Sequence, residues 1–448
     1  MELFLSILRS FLTHLCSRMK QIPPNDSKGL PGAPAPTGRL DALDALRAVM
    51  MLLGVVLHVS LVYNSWKPGP GWAFKDTANV WPVLDAVWFF IHPFRLPLFY
   101  VSAGYLGALL VAKRGWAGFW RNRVRRIGYP FAVFSAVLGP LVIAASVYSF
   151  RVLGGDPDPW GRVVSVFTSD RWLPVRHMLG MTRINGVSAV GPGFHLWFLY
   201  DLMAYAALAV ALHVAVRWLS ASSPKGAAVF ARIRQTLSAG LTAVMAGPWI
   251  RTLVLTALYG SLLFAVEQLG VPTPRVPSGW FVFSDATAWI PFLVYGGYFA
   301  LGWSFFGAPL WSHMSRNPGW QFVLGGVLHV LLQVSGGPKG WHAEWPTYFL
   351  EAASTVLLVF GLLAFFLAYV NRPSSALRYL LDASYWVYLI HMPLVCVLPG
   401  LLGPDVWWTG TKFFAVLILV LGISMGTYEF GVRGRWLGVF LGGERPSK

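Results

Sequence analysis

Ten apolar stretches punctuate the chain, at approximately 43–63, 88–111, 127–149, 193–216, 250–269, 289–308, 319–335, 347–370, 380–402 and 411–430. Each approaches or exceeds the length needed to cross a hydrocarbon layer of about 30 Å. Lipid offers no water to an open strand edge, so all ten are read as helices. The predicted fold is an all-α polytopic membrane helix bundle of about ten transmembrane helices. Composition supports this: 56% hydrophobic residues, 12% charged residues and 22 Trp are far from the balance of a soluble globule. The transmembrane domain is expected over 39–435. Ahead of it, Leu3, Phe4, Ile7, Leu8, Phe11, Leu12 and Leu15 recur at helical spacing and predict an interfacial amphipathic helix, followed by a Pro-, Gly- and Ala-rich linker over 22–38. Residues 436–448 are expected to form a tail.

The net charge of +17 follows the spans. Of 35 Lys and Arg, 24 fall on the side that holds both ends of the chain, 10 fall on the other, and Arg95 lies inside a span. Both termini are therefore predicted to be cytoplasmic. The same distribution, with no recognition module, speaks against nucleic acid as a partner and for membrane lipids. Cys16 and Cys396 sit in unrelated contexts, which supports neither a disulfide framework nor a metal centre. A Walker loop, an HExxH pair and a nucleophile elbow are all missing, so ATPase, zinc protease and serine hydrolase readings lose support. Chemistry would fall to His, Arg and carboxylates, with no metal.

The first span, "LDALRAVMMLLGVVLHVS", carries two polar residues that lipid disfavours. Arg47 and His58 are eleven positions apart, about 20° more than three full turns, so they share one face with an axial offset of roughly 16 Å. Arg47 would lie at headgroup depth, either as a snorkelling anchor or as part of a site, with Asp44 one turn earlier as its partner. His58 would lie at or beyond mid-depth, where an imidazole either packs against another helix or moves protons.

Other candidates follow the same logic. Six basic residues between Lys113 and Arg126, among them Arg121, Arg123, Arg125 and Arg126, either set topology or grip phosphate. His92 and Arg95 are flanked by Pro93 and Pro97, which are expected to interrupt the helix beside a cavity mouth. Arg95 would hold a substrate carboxylate or pair with an acid such as Asp85. His195 stands beside Trp197 and Phe198, and His391 follows Tyr385, Trp386 and Tyr388. Asp201 and Glu351 are intramembrane acids, each able to orient a His. Glu429 has no role that its position suggests. His14, His177, His213, His313, His329 and His342 are expected to be surface or structural residues.

Taken together these residues resemble the acyltransferase-3 membrane family. Asp44-Ala-Leu-Arg47, ten residues and His58 are similar to its first-helix signature. "FIHPFRLPLFYVSAGY" (90–105) resembles the second helix of the family's glucan-biosynthesis branch, whose members succinylate osmoregulated periplasmic glucans. "FWRNRVRRIGYP" (119–130), "FHLWFLYDL" (194–202) and "SYWVYLIHMP" (384–393) are similar to later family motifs. The resemblance covers roughly 40–435. It implies an O-acyltransferase of the bacterial inner membrane that moves an acyl group, succinyl in that branch, from cytoplasmic acyl-CoA to hydroxyls of a periplasmic glucan or other glycan. It also implies His58, Arg47 and Asp44 in catalysis, Arg123 and Arg126 with Arg121 and Arg125 on the CoA phosphates, and His92, Arg95, His195, Trp197 and His391 toward substrate. Two alternatives stay open: an O-acetyltransferase of lipopolysaccharide or exopolysaccharide, and a non-enzymatic transporter.

Overall fold

The computed structural model describes residues 41–65, 74–169, 183–184, 187–188, 194–268, 289–306, 318–334, 345–370, 375–408 and 410–441. The amphipathic helix and linker expected before residue 39, the end of the tail, and His14, Cys16, His177, His313 and His342 lie outside the described residues. In chain order the helices are α1 (Asp41–Tyr63), α2 (Val83–Arg123), α3 (Tyr129–Leu153), α4 (Pro159–Ser169), α5 (Trp197–Ser222), α6 (Pro224–Ala246), α7 (Pro248–Gln268), α8 (Trp289–Ser304), α9 (Pro318–Val334), α10 (Trp345–Tyr369), α11 (Ser375–Leu401), α12 (Thr411–Thr427) and α13 (Trp436–Phe440). A ladder pairing Arg183 with Ser188 and Ile184 with Val187 is the extended structure among the described residues.

Each of the ten expected spans contains a helix. Seven helical stretches among the described residues are long and apolar enough to cross a membrane, and the longest, Val83–Leu153, holds both α2 and α3. In α10, α1 and α11 the apolar window is 72%, 61% and 56% buried, against 17% in α7 and 28% in α5 and α12. The first three therefore belong to the inner layer, and the others present apolar side chains to lipid. α1 packs on α2, α11 and α12, and α2 packs tightly on α8. There the backbones touch: a Cβ on Gly104 would overlap the Phe299 carbonyl, and one on Gly302 would overlap the Val101 carbonyl.

Three expectations change. Pro93 and Pro97 do not break α2, which runs helically through both. Pro93 has no N–H to give the Phe89 carbonyl, and His329 of α9 stands beside this stretch, 6.2 Å from the Phe90 ring and with its Nδ1 3.3 Å from Ser354 Oγ. The bend in Val83–Leu153 comes at Gly115 (φ 65, ψ 177), a conformation only glycine adopts without strain. The basic segment that follows is thus helical rather than a loop, interrupted by a π turn over Val124–Gly128. Finally, the stretch between the expected spans 193–216 and 250–269 is helical too: α6 fills most of it, capped by Ser223 Oγ, which accepts from the Gly226 N–H at 3.3 Å.

Opposite the basic end, the loops are sewn to the bundle. Asp158 Oδ1 accepts the Gly161 N–H at 2.9 Å and starts α4. Asp156 accepts from the Asp158 N–H at 3.0 Å and from Arg162 at 3.1 Å, bonds that hold its carboxyl below the usual range, the backbone bond foremost. Residues 74–82 are pinned to the end of α1 by the Asp76 N–H on the Val62 carbonyl (3.1 Å) and the Trp81 N–H on the Tyr63 carbonyl (2.7 Å). Asp76 also pairs with Lys412 of α12, both 1% exposed, and Lys412 donates to the Gly403 carbonyl at 2.6 Å. Removing one partner would strand a buried ammonium. Asp76→Ala is therefore expected to lower unfolding stability in detergent by about 3–5 kcal/mol. Chemical denaturation measures this, and a loss under about 1 kcal/mol would contradict the buried pair.

Candidate active site

Arg47, Gly54 and His58 fall at relative positions 0, 7 and 11 on α1, one longitudinal stripe. Arg47 pairs with Asp44 at 3.4 Å; Asp44 is 1% exposed. His58 lies five residues, about 7.5 Å, from the end of the helix. The residue is half-buried, and its ring neighbours are His391, His195 and Arg95, contributed by three other segments of the bundle.

α11 supplies the partner. His58 Nδ1 lies 2.9 Å from His391 Nε2, and His391 Nδ1 lies 2.7 Å from the Tyr388 carbonyl. A carbonyl only accepts, so His391 carries its proton on Nδ1 and its Nε2 has the lone pair. His58 must then donate from Nδ1, which leaves the lone pair of neutral His58 on Nε2. The two rings are nearly coplanar in orientation, 10° apart with centroids 5.1 Å apart. His195, in the turn that leads into α5, stands edge-on to His391 at 5.3 Å and donates from Nε2 to the Leu389 carbonyl at 2.8 Å. That carbonyl is available because Pro393, four residues on, has no N–H to give it. Tyr388 OH in turn donates to the His195 carbonyl at 2.9 Å. α1, α5 and α11 are thus locked together around three imidazoles.

Arg95 comes from α2. Its guanidinium occupies the space where Gly54 would carry a Cβ, between Arg47 and His58 on the α1 stripe. Among the described residues no carboxylate pairs with it. Its electrostatic neighbours are Tyr295, Tyr388 and Tyr100, together with His58 and His391, and its buried Nε has no hydrogen-bond partner. Asp85, the expected acid, accepts instead from the Ser65 N–H at 2.9 Å and from the Ser65 hydroxyl. An enclosed guanidinium without an acid is costly unless an anion visits it.

The basic end divides by helical phase. Arg123 turns inward, 5.2 Å over the Phe119 ring, with a guanidinium nitrogen 3.5 Å from where Gly107 would carry a Cβ. Its charged neighbours are Arg47 and Arg126. Tyr385 OH donates to the Arg126 carbonyl at 3.0 Å, tying the π turn to α11 two turns from His391. Arg121 and Arg125 project outward from the opposite face and are exposed.

The remaining candidates scatter. His92 stacks on Trp88 at 4.3 Å, one turn from Arg95. Trp197 is buried, edge-on to Phe198 at 6.3 Å, and offers no open face. Asp201 orients a tyrosine rather than a histidine: its carboxylate accepts Tyr100 OH at 3.0 Å. Glu429 pairs with Arg433 at 2.8 Å, and Glu351 is half-buried on α10. His213 stacks on Trp116 at 4.2 Å. Among the described residues no group of His, Cys, Asp and Glu is disposed to hold a metal ion.

Residues 40–429 match the acyltransferase domain of the acyltransferase-3 family. The chain belongs to that family. It is similar to the glucans biosynthesis proteins C of several Escherichia coli strains. With that of strain 536 it is 25% identical over 414 residues, 89% of this chain and 93% of the relative. The protein of the O1:K1 strain gives the same figures, and that of strain K12 is 25% identical over 410 residues. No solved structure matches. As a member of the acyltransferase-3 family, the protein is an acyl-transferring membrane enzyme.

Gly54 is the position on the Arg47–His58 stripe where a side chain is missing, a gap that no motif marks, and Tyr388, one turn before His391, supplies the carbonyl that orients it. The geometry also gives His391 a task it can be tested on. His391→Ala removes the acceptor for His58 and is expected to lower kcat by about 10²-fold or more, with little change in KM for the acyl donor. His391→Gln, whose amide oxygen can replace Nε2, is expected to retain most of kcat. A Gln variant as impaired as the Ala variant, or an Ala variant at wild-type rate, would contradict the assigned pairing.

Proposed function

We propose that this enzyme transfers an acyl group, succinyl in the sharper reading, from cytoplasmic acyl-CoA to a hydroxyl of a periplasmic glucan across the bacterial inner membrane. The observation that carries it is the proximity of a proton-accepting His58 Nε2 to an enclosed guanidinium, that of Arg95, which has no acid partner among the described residues. The basic end, where Arg47, Arg123 and Arg126 converge, suits the phosphates of coenzyme A. The pantetheine arm would run from the Arg47 level toward His58 alongside the Arg95 guanidinium that fills the gap at Gly54.

In the step itself, His58 Nε2 takes the proton of the acceptor hydroxyl as that oxygen bonds to the thioester carbonyl carbon. The tetrahedral intermediate collapses by breaking the C–S bond, and the thiolate leaves with the proton that His58 holds. His391 keeps His58 in the productive tautomer and spreads the positive charge that forms on it. Asp44 holds Arg47 at the entrance. Arg95 receives an anion, either the free carboxylate of a succinyl donor or the developing oxyanion. His195 and His92 line the approach on the side away from the basic end.

Arg95 favours succinyl over acetyl, because an acetyl group offers no carboxylate to balance a buried guanidinium. The glucan acceptor rests on the likeness to the glucans biosynthesis proteins C. O-acetylation of lipopolysaccharide or exopolysaccharide is the second reading. Mass spectrometry of periplasmic glucans from a deletion strain and from the same strain carrying wild-type, His58→Ala or Arg95→Met protein tests both. Succinyl mass increments are expected only with the wild-type protein. With purified protein, Arg95→Met is expected to reduce kcat/KM for succinyl-CoA at least tenfold more than for acetyl-CoA, about one charge-assisted bond. Glucans unchanged by deletion would overturn the acceptor, and full transfer by His58→Ala would overturn the base.

A further inference from the structure

The two arginines that turn away from the interior line a groove of their own. Trp120, Arg121, Arg125 and Tyr129 form one wall and Trp436 and Phe440 of α13 the other, around a volume of 570 Å³. Residues 121 and 125 are 400° apart on the helix, hence on one face, while 123 lies roughly opposite. The groove therefore opens on the outside of the bundle, at the basic end, and not toward Arg123 and the α1 stripe. Among the described residues neither Arg121 nor Arg125 has an ion-pair partner. Trp120, Tyr129 and Trp436 are exposed beside them.

A second observation extends the groove along the membrane. Tyr129, Val133, Val137 and Leu141 recur every four residues on α3, and all four are exposed. They make one apolar stripe running from the groove into hydrocarbon depth. Two guanidiniums one turn apart, amphipathic rings at the interface and a chain-length apolar track below are matched by a single kind of ligand. We infer that this groove is a binding site for an anionic phospholipid, with the headgroup phosphate between Arg121 and Arg125, the glycerol region among Trp120, Tyr129 and Trp436, and an acyl chain along the α3 stripe. Arg forks bind phosphate with paired hydrogen bonds, and the rings tolerate the half-wet glycerol level. The bound lipid would also bridge α13 to the basic segment, so that the short C-terminal helix is held by a ligand as well as by the π turn over Tyr428–Val432 that precedes it.

Native mass spectrometry of the full chain, titrated with phosphatidylglycerol and with phosphatidylcholine of the same acyl chains, tests the site. The first phosphatidylglycerol is expected to bind at least tenfold more tightly than the first phosphatidylcholine. Arg121→Gln/Arg125→Gln should weaken the phosphatidylglycerol site by about 30-fold, from about 1 kcal/mol per basic residue. Trp436→Ala, at an exposed position of α13, should weaken it by a smaller factor. Arg123→Gln, an equal loss of charge from the inner face, should leave the lipid titration unchanged. Equal binding of the two lipids, or a double variant that binds phosphatidylglycerol as the wild type does, would overturn the proposal. Free coenzyme A that displaces phosphatidylglycerol in direct competition would overturn it too, assigning the groove to the nucleotide of the acyl donor.

Discussion

The hydrogen bond between His58 and His391 exists in one polarity because the far nitrogen of His391 is committed to the Tyr388 carbonyl. Two neutral imidazoles can share a proton either way, and either ring can act as base. The carbonyl removes that freedom. It fixes the lone pair on His58 Nε2, on the ring that shares a helical stripe with Arg47 and the Arg95 guanidinium. α11 also receives His195 through the Leu389 carbonyl that Pro393 leaves open, so adjacent carbonyls of α11 dock the start of α5 and orient His391.

The Leu389 carbonyl that Pro393 leaves open is a polar point to which a histidine from another segment is drawn. In α2 the helix runs on through Pro93, and His329 of α9 packs beside it, edge-on to Phe90 at 6.2 Å. In a solvent without water, such points are where helices register against one another, since apolar contacts alone distinguish poorly between neighbouring registers. The close approach of α2 and α8 at Gly104 and Gly302 sets the other inner contact, and Gly54 makes room for Arg95. Small residues bring the charged side chains of the site within reach of each other.

Much of this is legible in the amino-acid sequence. Apolar length alone gave the ten helices, because lipid thickness is a strong constraint on every segment. The Arg47–His58 stripe followed from helical phase alone. What the sequence concealed are relations between distant segments. Nothing in the residues around His391 says that His58 is 333 positions away and bonded to it. The prolines of α2 suggest a broken helix, whereas packing against neighbouring helices carries α2 through both. The four arginines after Phe119 look alike in a row, and only the helical conformation of that stretch separates Arg123, turned inward over Phe119, from the exposed Arg121 and Arg125. α6 was overlooked because its basic residues lower its hydropathy below that of a span, although its Ser-Pro start is a good helix opening.

In the proposed reaction one imidazole, that of His58, serves reactants arriving from opposite faces of the membrane. Proteoliposomes with the enzyme in a single orientation test it most directly, with acyl-CoA supplied only at the basic face and glucan enclosed at the other. Acyl groups should appear on the enclosed glucan at a rate set by the acyl-CoA concentration outside. Transfer only when donor and acceptor are placed on the same side would contradict the claim.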